Sequence, residues 1–149
     1  MASRRAVLAA TPGLLAVALA RPAGASPEAM RQAMREFLGP DAPVPRPGRV
    51  RLELPPLVEN GNAVPLSVSV ESPMTATDRV RSIAVFTERN PLPGVIIAQL
   101  GPRAGAARFA TRIRLATSQQ IVAVAVMGDG SVWSDSAQVV VTLAACVES

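Results

Sequence analysis

The sequence predicts an all-β protein, an antiparallel β-sandwich with a short N-terminal helix and an extended C-terminal arm. Three observations carry this. Short runs of apolar residues alternate with polar ones from Arg49 to Leu143, a period of two that suits a half-buried strand. Turn residues recur every eight to twelve positions or so, which is the spacing of a sandwich. From Ser26 onward the chain has 124 residues, enough for one domain with a core and too few for two.

The opening residues 1–25 read as a leader. Arg4 and Arg5 precede an apolar run from Ala6 to Ala20, and Arg21-Pro22-Ala23-Gly24-Ala25 has the small-x-small ending of a cleavage site. Paired arginines before a core rich in Ala, Gly and Thr predict a twin-arginine signal peptide, hence export to the periplasm. A membrane anchor is not expected, because Pro12-Gly13 interrupts the run.

Charge excludes some partners. Three of the fifteen basic residues lie in the leader, leaving twelve arginines against eleven acids, a net +1. The sequence pI of about 11.2 reflects the absence of Lys, His and Tyr rather than a basic surface. No basic stripe with interleaved aromatics is present, so nucleic acid is not an expected partner.

The same absences bound the chemistry. Without histidine there is no Ser-His-Asp or Cys-His pair and no ordinary zinc or copper site. Without lysine there is no Schiff base. No catalytic residue, metal or cofactor is assigned, and an enzyme in its own right is not expected. One cysteine cannot form an internal disulfide, so Cys146 is either reactive or paired outside the chain.

Taken in order, residues 26–40 predict a helix. Ser26 is the N-cap, Pro27 suits the first helical position, and Glu28 lies in the first turn. Met30, Met34, Phe37 and Leu38 recur at helical spacing, and Gly39-Pro40 stops the run. Residues 41–48, with Pro43, Pro45 and Pro47, form an extended connector.

Residues 49–143 form the sandwich. Val50, Leu52 and Leu54 alternate with charged residues until Pro55-Pro56 ends that strand. Glu59-Asn60-Gly61-Asn62 predicts a turn, with Asn-Gly supplying positive φ. Val64, Leu66, Val68 and Val70 mark one face of the next strand. Further strands are expected over 80–88, 94–100, 106–115 and 120–127. Gly128-Asp129-Gly130 makes a hairpin turn into a short strand at Val132-Trp133. That strand leads through Ser134-Asp135-Ser136 to a last one at Gln138–Leu143, with Val139, Val141 and Leu143 on one face.

Residues 144–149 form the arm, Ala144-Ala145-Cys146-Val147-Glu148-Ser149. Three residues of extended chain reach about 10 Å, which would carry the Cys146 sulfur clear of the domain beyond Leu143. Glu148 and the Ser149 carboxylate lie close in sequence and disfavour the thiolate.

Most other polar residues have plainer readings. Arg112 and Arg114 form a solvated face, Trp133 packs in the core or at an interface, and Met74 and Met127 pack. Turn chemistry explains Asp129 and Asp135.

Several short motifs in order resemble the SoxY family. They are Glu59-Asn60-Gly61 with Val64-Pro65, Ser72-Pro73-Met74, Ser82-Ile83-Ala84, Glu88-Arg89-Asn90-Pro91 and Thr111-Arg112-Ile113-Arg114, then Gly130 and a Val-rich strand ending in Cys. SoxY is the sulfur-carrier subunit of the periplasmic thiosulfate-oxidising Sox system. The resemblance implies an immunoglobulin-like sandwich, a heterodimer with a SoxZ-like protein, and a sulfur substrate held covalently on Cys146. Periplasmic sulfur-oxidising or other redox enzymes would load and unload it. The family arm reads Gly-Gly-Cys-Gly-Gly. Here Ala144, Ala145, Val147 and Glu148 flank the cysteine, closer to a SoxY-related branch with Ala-Ala-Cys-Ile-Glu. Two readings therefore stand: a covalent carrier, or a non-catalytic binding or assembly module whose altered arm docks in a partner.

Overall fold

The computed structural model describes residues 24–145. Helix α1 (Pro27–Leu38) is followed by eight strands: β1 (Val50–Glu53), β2 (Leu57–Asn60), β3 (Val64–Val70), β4 (Val80–Thr87), β5 (Gly94–Gln99), β6 (Arg108–Ile113), β7 (Gln119–Met127) and β8 (Val132–Leu143). They form a three-stranded sheet, β1-β3-β6, and a five-stranded sheet, β2-β8-β7-β4-β5. This is the sandwich the alternation predicts. No helix among the described residues is long and apolar enough to cross a membrane. The leader, residues 1–25, lies outside the described residues except for Gly24 and Ala25.

The core lies between the sheets. Val64, Leu66, Val68 and Val70 point inward from β3, and Ile121, Ala123, Ala125 and Met127 from β7. A second apolar cluster fills the outer face of the large sheet, where Ala84, Phe86, Val122, Val124 and Val132 meet Met30 of α1. This explains why β4 and β7 are buried on both faces and read as continuous apolar runs. A register irregularity between Val80 and Ser82 shifts β4 by one residue, so Val80 joins Ile83 and Val85 in the inter-sheet core.

The helix ends follow their residues. The Ser26 hydroxyl accepts from the Ala29 amide at 3.1 Å, Pro27 opens the helix, and Gly39 at φ 89° closes it with its N–H on the Arg35 carbonyl. Phe37 sits edge-on to Phe86, centroids 5.9 Å apart. The connector after α1 straps onto β8: the Arg46 amide donates to Val132 O at 3.0 Å, and the Ser134 amide donates to Arg46 O at 2.9 Å. Guanidinium carbons of Arg46 and Arg49 stand 4.5 Å and 5.5 Å from the centre of the Trp133 ring.

Three local expectations are corrected. Leu57–Asn60 is a strand, and it pairs in parallel with β8, Leu57 opposite Val140 and Asn60 opposite Leu143. The rest of the strand pairing is antiparallel. Val132–Leu143 is one twelve-residue strand rather than two, because β7 pairs with it from Val139 to Val132. Asp135 is not a turn residue. Its carboxylate accepts the Leu52 amide at 2.9 Å and ties β8 to the opposite sheet.

Candidate functional site

Of the residues expected to form the site, Cys146, Val147 and Glu148 lie outside the described residues. Ala144 and Ala145 are described, and they show how the arm leaves the domain. Ala144 is exposed, whereas Ala145 is buried at 7 % exposure. The Ala145 amide donates to Leu115 O at 3.2 Å. The arm therefore does not leave the domain at Leu143, as the end of the alternation predicts. It is still attached at Ala145, the residue before Cys146.

Two connections converge on this root. From the β2–β3 turn, the Gly61 amide donates to Leu143 O at 2.9 Å. From the β6–β7 connection, the Leu115 amide donates to Gly61 O at 2.8 Å, and Leu115 O then receives Ala145. The Ser118 hydroxyl meets both polar groups of Val141: it accepts from the amide at 2.8 Å and donates to the carbonyl at 3.3 Å. Thr142 Oγ1 donates to Glu59 O at 3.3 Å.

The 114–119 segment is held in turn by two buried amide side chains. Asn90 donates to Arg114 O at 2.7 Å and accepts from the Ala116 amide at 3.0 Å. Gln119 donates to Asn90 Oδ1 at 2.9 Å and accepts from the Arg89 amide at 2.8 Å. Among the described residues no buried polar side-chain atom lacks a partner. A satisfied polar network inside an apolar domain fixes geometry, since each group left unpaired would cost free energy.

The sequence reasoning named the arm and missed its anchors. The signal lay in the motifs: Glu59-Asn60-Gly61, Glu88-Arg89-Asn90-Pro91 and Thr111-Arg112-Ile113-Arg114 supply or flank Gly61, Asn90 and Leu115, all gathered at the arm root.

The remaining candidates do not join them. Met74 Sδ accepts the Val80 amide at 3.4 Å, and Met127 is core. Among the described residues no group of His, Cys, Asp or Glu is arranged to hold a metal ion. Arg112 is exposed and lines an open groove of about 750 Å³ on the small sheet, with Glu53, Pro65 and Ser67.

The family model for the sulfur oxidation protein SoxY matches residues 34–146, most of the chain and its cysteine included. The chain belongs to the SoxY family. Among solved structures it is similar to the sulfur carrier protein SoxY from Chlorobium limicola f thiosulfatophilum, at 25% identity and a TM-score of 0.64, covering 79% of this chain and 100% of that one. It also resembles a superoxide reductase (neelaredoxin) from Ignicoccus hospitalis, at 18% identity and a TM-score of 0.56, covering 63% and 80%. A superoxide reductase fold from Thermotoga maritima aligns at 19% identity and a TM-score of 0.54, covering 66% and 87%. These last two likenesses show a shared sandwich and nothing of its chemistry. No curated protein matches the chain at a significant level.

Proposed function

We propose that this SoxY-family chain is a periplasmic carrier, which holds a sulfur substrate or related adduct covalently on Cys146 and presents it to partner enzymes. The observation that carries this reading is the anchoring of Ala145. A domain whose buried network is spent on fixing the residue before its one cysteine is built to present that cysteine. No catalytic residue is assigned. Joining the Cys146 thiol to a sulfur substrate as a reducible S–S bond releases the thiol proton and two electrons, which a partner redox enzyme accepts; the Chlorobium relative is named a sulfur carrier protein.

Arg4 and Arg5 ahead of an apolar run support export to the periplasm by the twin-arginine route under this reading, with a SoxZ-like protein as the partner in a heterodimer. Export already folded by that route suits a sandwich that travels with a partner. Leu57 and Val140 support an interface: they are paired across β2 and β8 and are 60% and 53% exposed.

Intact mass of the protein purified from its native host, with and without reductant, tests the carrier reading. A reducible adduct mapped to Cys146 is expected, and its mass names the cargo. A bare thiol, or a disulfide to another chain alone, assigns the chain instead to the docking module whose arm binds a partner without carrying anything.

A further inference from the structure

Gly61 is a glycine because of its neighbours rather than its torsion angles. The positive-φ residues among those described are Met74, Gly39, Gly48 and Gly130, so the Asn60-Gly61 pair does not supply the positive φ its sequence suggests. A Cβ at Gly61 would instead lie 2.4 Å from Leu115 O, 3.0 Å from Ala145 N and 3.1 Å from Val141 Cγ1. Two of these three atoms are backbone, and one is the amide that tethers the arm. No side-chain rotation relieves such a clash, so one of the backbones has to move.

The hydrogen bonds close a ring around the same point. Gly61 N–H reaches Leu143 O, Leu115 N–H reaches Gly61 O, and Ala145 N–H reaches Leu115 O, at 2.9, 2.8 and 3.2 Å. Leu143 and Ala145 are thus both fixed through Gly61, one directly and one through Leu115, with Ala144 bridging them.

We infer that Gly61 is a positioning residue for Cys146: by admitting three backbones to one point it holds the arm at Ala145 and sets where the thiol is presented. The inference rests on the carrier reading for its purpose but not for its geometry. With Ala145 held, the Cys146 Cα lies about 3.8 Å from a fixed atom. With Ala145 released, the fixed point retreats to Leu143, and three residues of flexible chain spread the thiol over about 10 Å. A thiol that wanders is offered to an enzyme cleft in a productive pose less often.

Pulsed electron–electron resonance tests this, with nitroxide labels on Cys146 and on a second cysteine introduced as Gln32→Cys on the exposed face of α1. The parent is expected to give one narrow distance distribution. Gly61→Ala should broaden it toward the spread of a free three-residue arm. Ala145→Pro removes the tethering N–H without altering Gly61, and should broaden the distribution equally, which keeps the test decisive if Gly61→Ala does not fold. Circular dichroism and the thermal midpoint confirm that each variant tested is folded. Distributions of equal width in all folded variants overturn the inference. Failure of the carrier reading would look different: a narrow parent distribution, and no adduct by intact mass.

Discussion

Gln119 donates through Nε2 to Asn90 Oδ1 over 2.9 Å, and this pair, buried between two connections, holds the segment on which the arm rests. Asn90 also satisfies a carbonyl and an amide of that segment, Arg114 O and Ala116 N. Asn90→Ala leaves both without their partner in a part-buried setting and also takes an acceptor from the Gln119 amide, and a loss of about 2–4 kcal/mol of stability is expected. Urea denaturation measures it, with the midpoint falling and the slope unchanged.

Phe86 joins the helix to the large sheet. It is 2% exposed and packs edge-on against Phe37. Phe86→Ala opens a cavity between α1 and β4 and is expected to cost about 3–5 kcal/mol. Amide hydrogen exchange should show α1 exchanging sooner than β7 in this variant, because the helix loses its main anchor while the inter-sheet core is kept.

Gly48 lies beside the ring of Trp133 in a left-handed backbone conformation. Its φ is 129°, and an added Cβ would lie 3.4 Å from the indole. Gly48→Ala is therefore strained in its backbone, although the added methyl meets the ring at ordinary contact distance, and should destabilise the fold by more than about 1 kcal/mol. Trp133 is the chain's one tryptophan, so a change in its fluorescence locates the disturbance to the connector.

Asp129 gives the fold an acid-sensitive turn. A hydrogen bond from the Ser131 hydroxyl, at 2.6 Å, and another from its amide, at 2.9 Å, hold the Asp129 carboxyl below the ordinary carboxylate range. Its folded value lies below its unfolded one. The turn's contribution is complete above the unfolded carboxylate range and is lost as pH falls through the folded value. Carbon-detected NMR titration should show the Asp129 midpoint rising in Ser131→Ala, since the larger of the two hydrogen bonds holding it down is removed.

Some elements were legible in the sequence because their determinants are local. The caps of α1 and the alternation of β3 need only a few neighbouring residues to specify them, and both appear where expected. β2 was not legible. Its four residues bury Val58 alone, and its partner strand lies some eighty positions later, so no local period marks it. The cysteine arm was visible in the sequence as a tail after the last strand, but the way it is fastened was not. A sequence shows that Cys146 follows Ala145, but the bond from Ala145 to Leu115 and the space that Gly61 leaves open arise only when three distant backbones meet. Asn-Gly is a common turn signal, and here the glycine answers to crowding instead.

The parallel pairing of β2 with β8 has a mechanical consequence. Strand β8 leads directly into the arm, and it lies inside its sheet with β7 on one side and β2 on the other. A pull along the arm therefore loads two ladders of hydrogen bonds together, in shear, rather than unzipping them one at a time from an edge. The lone bond at Ala145 gives way first, and the ladders then resist. Release of that bond thus lengthens the chain beyond β8 while the sheet to which it is attached stays whole.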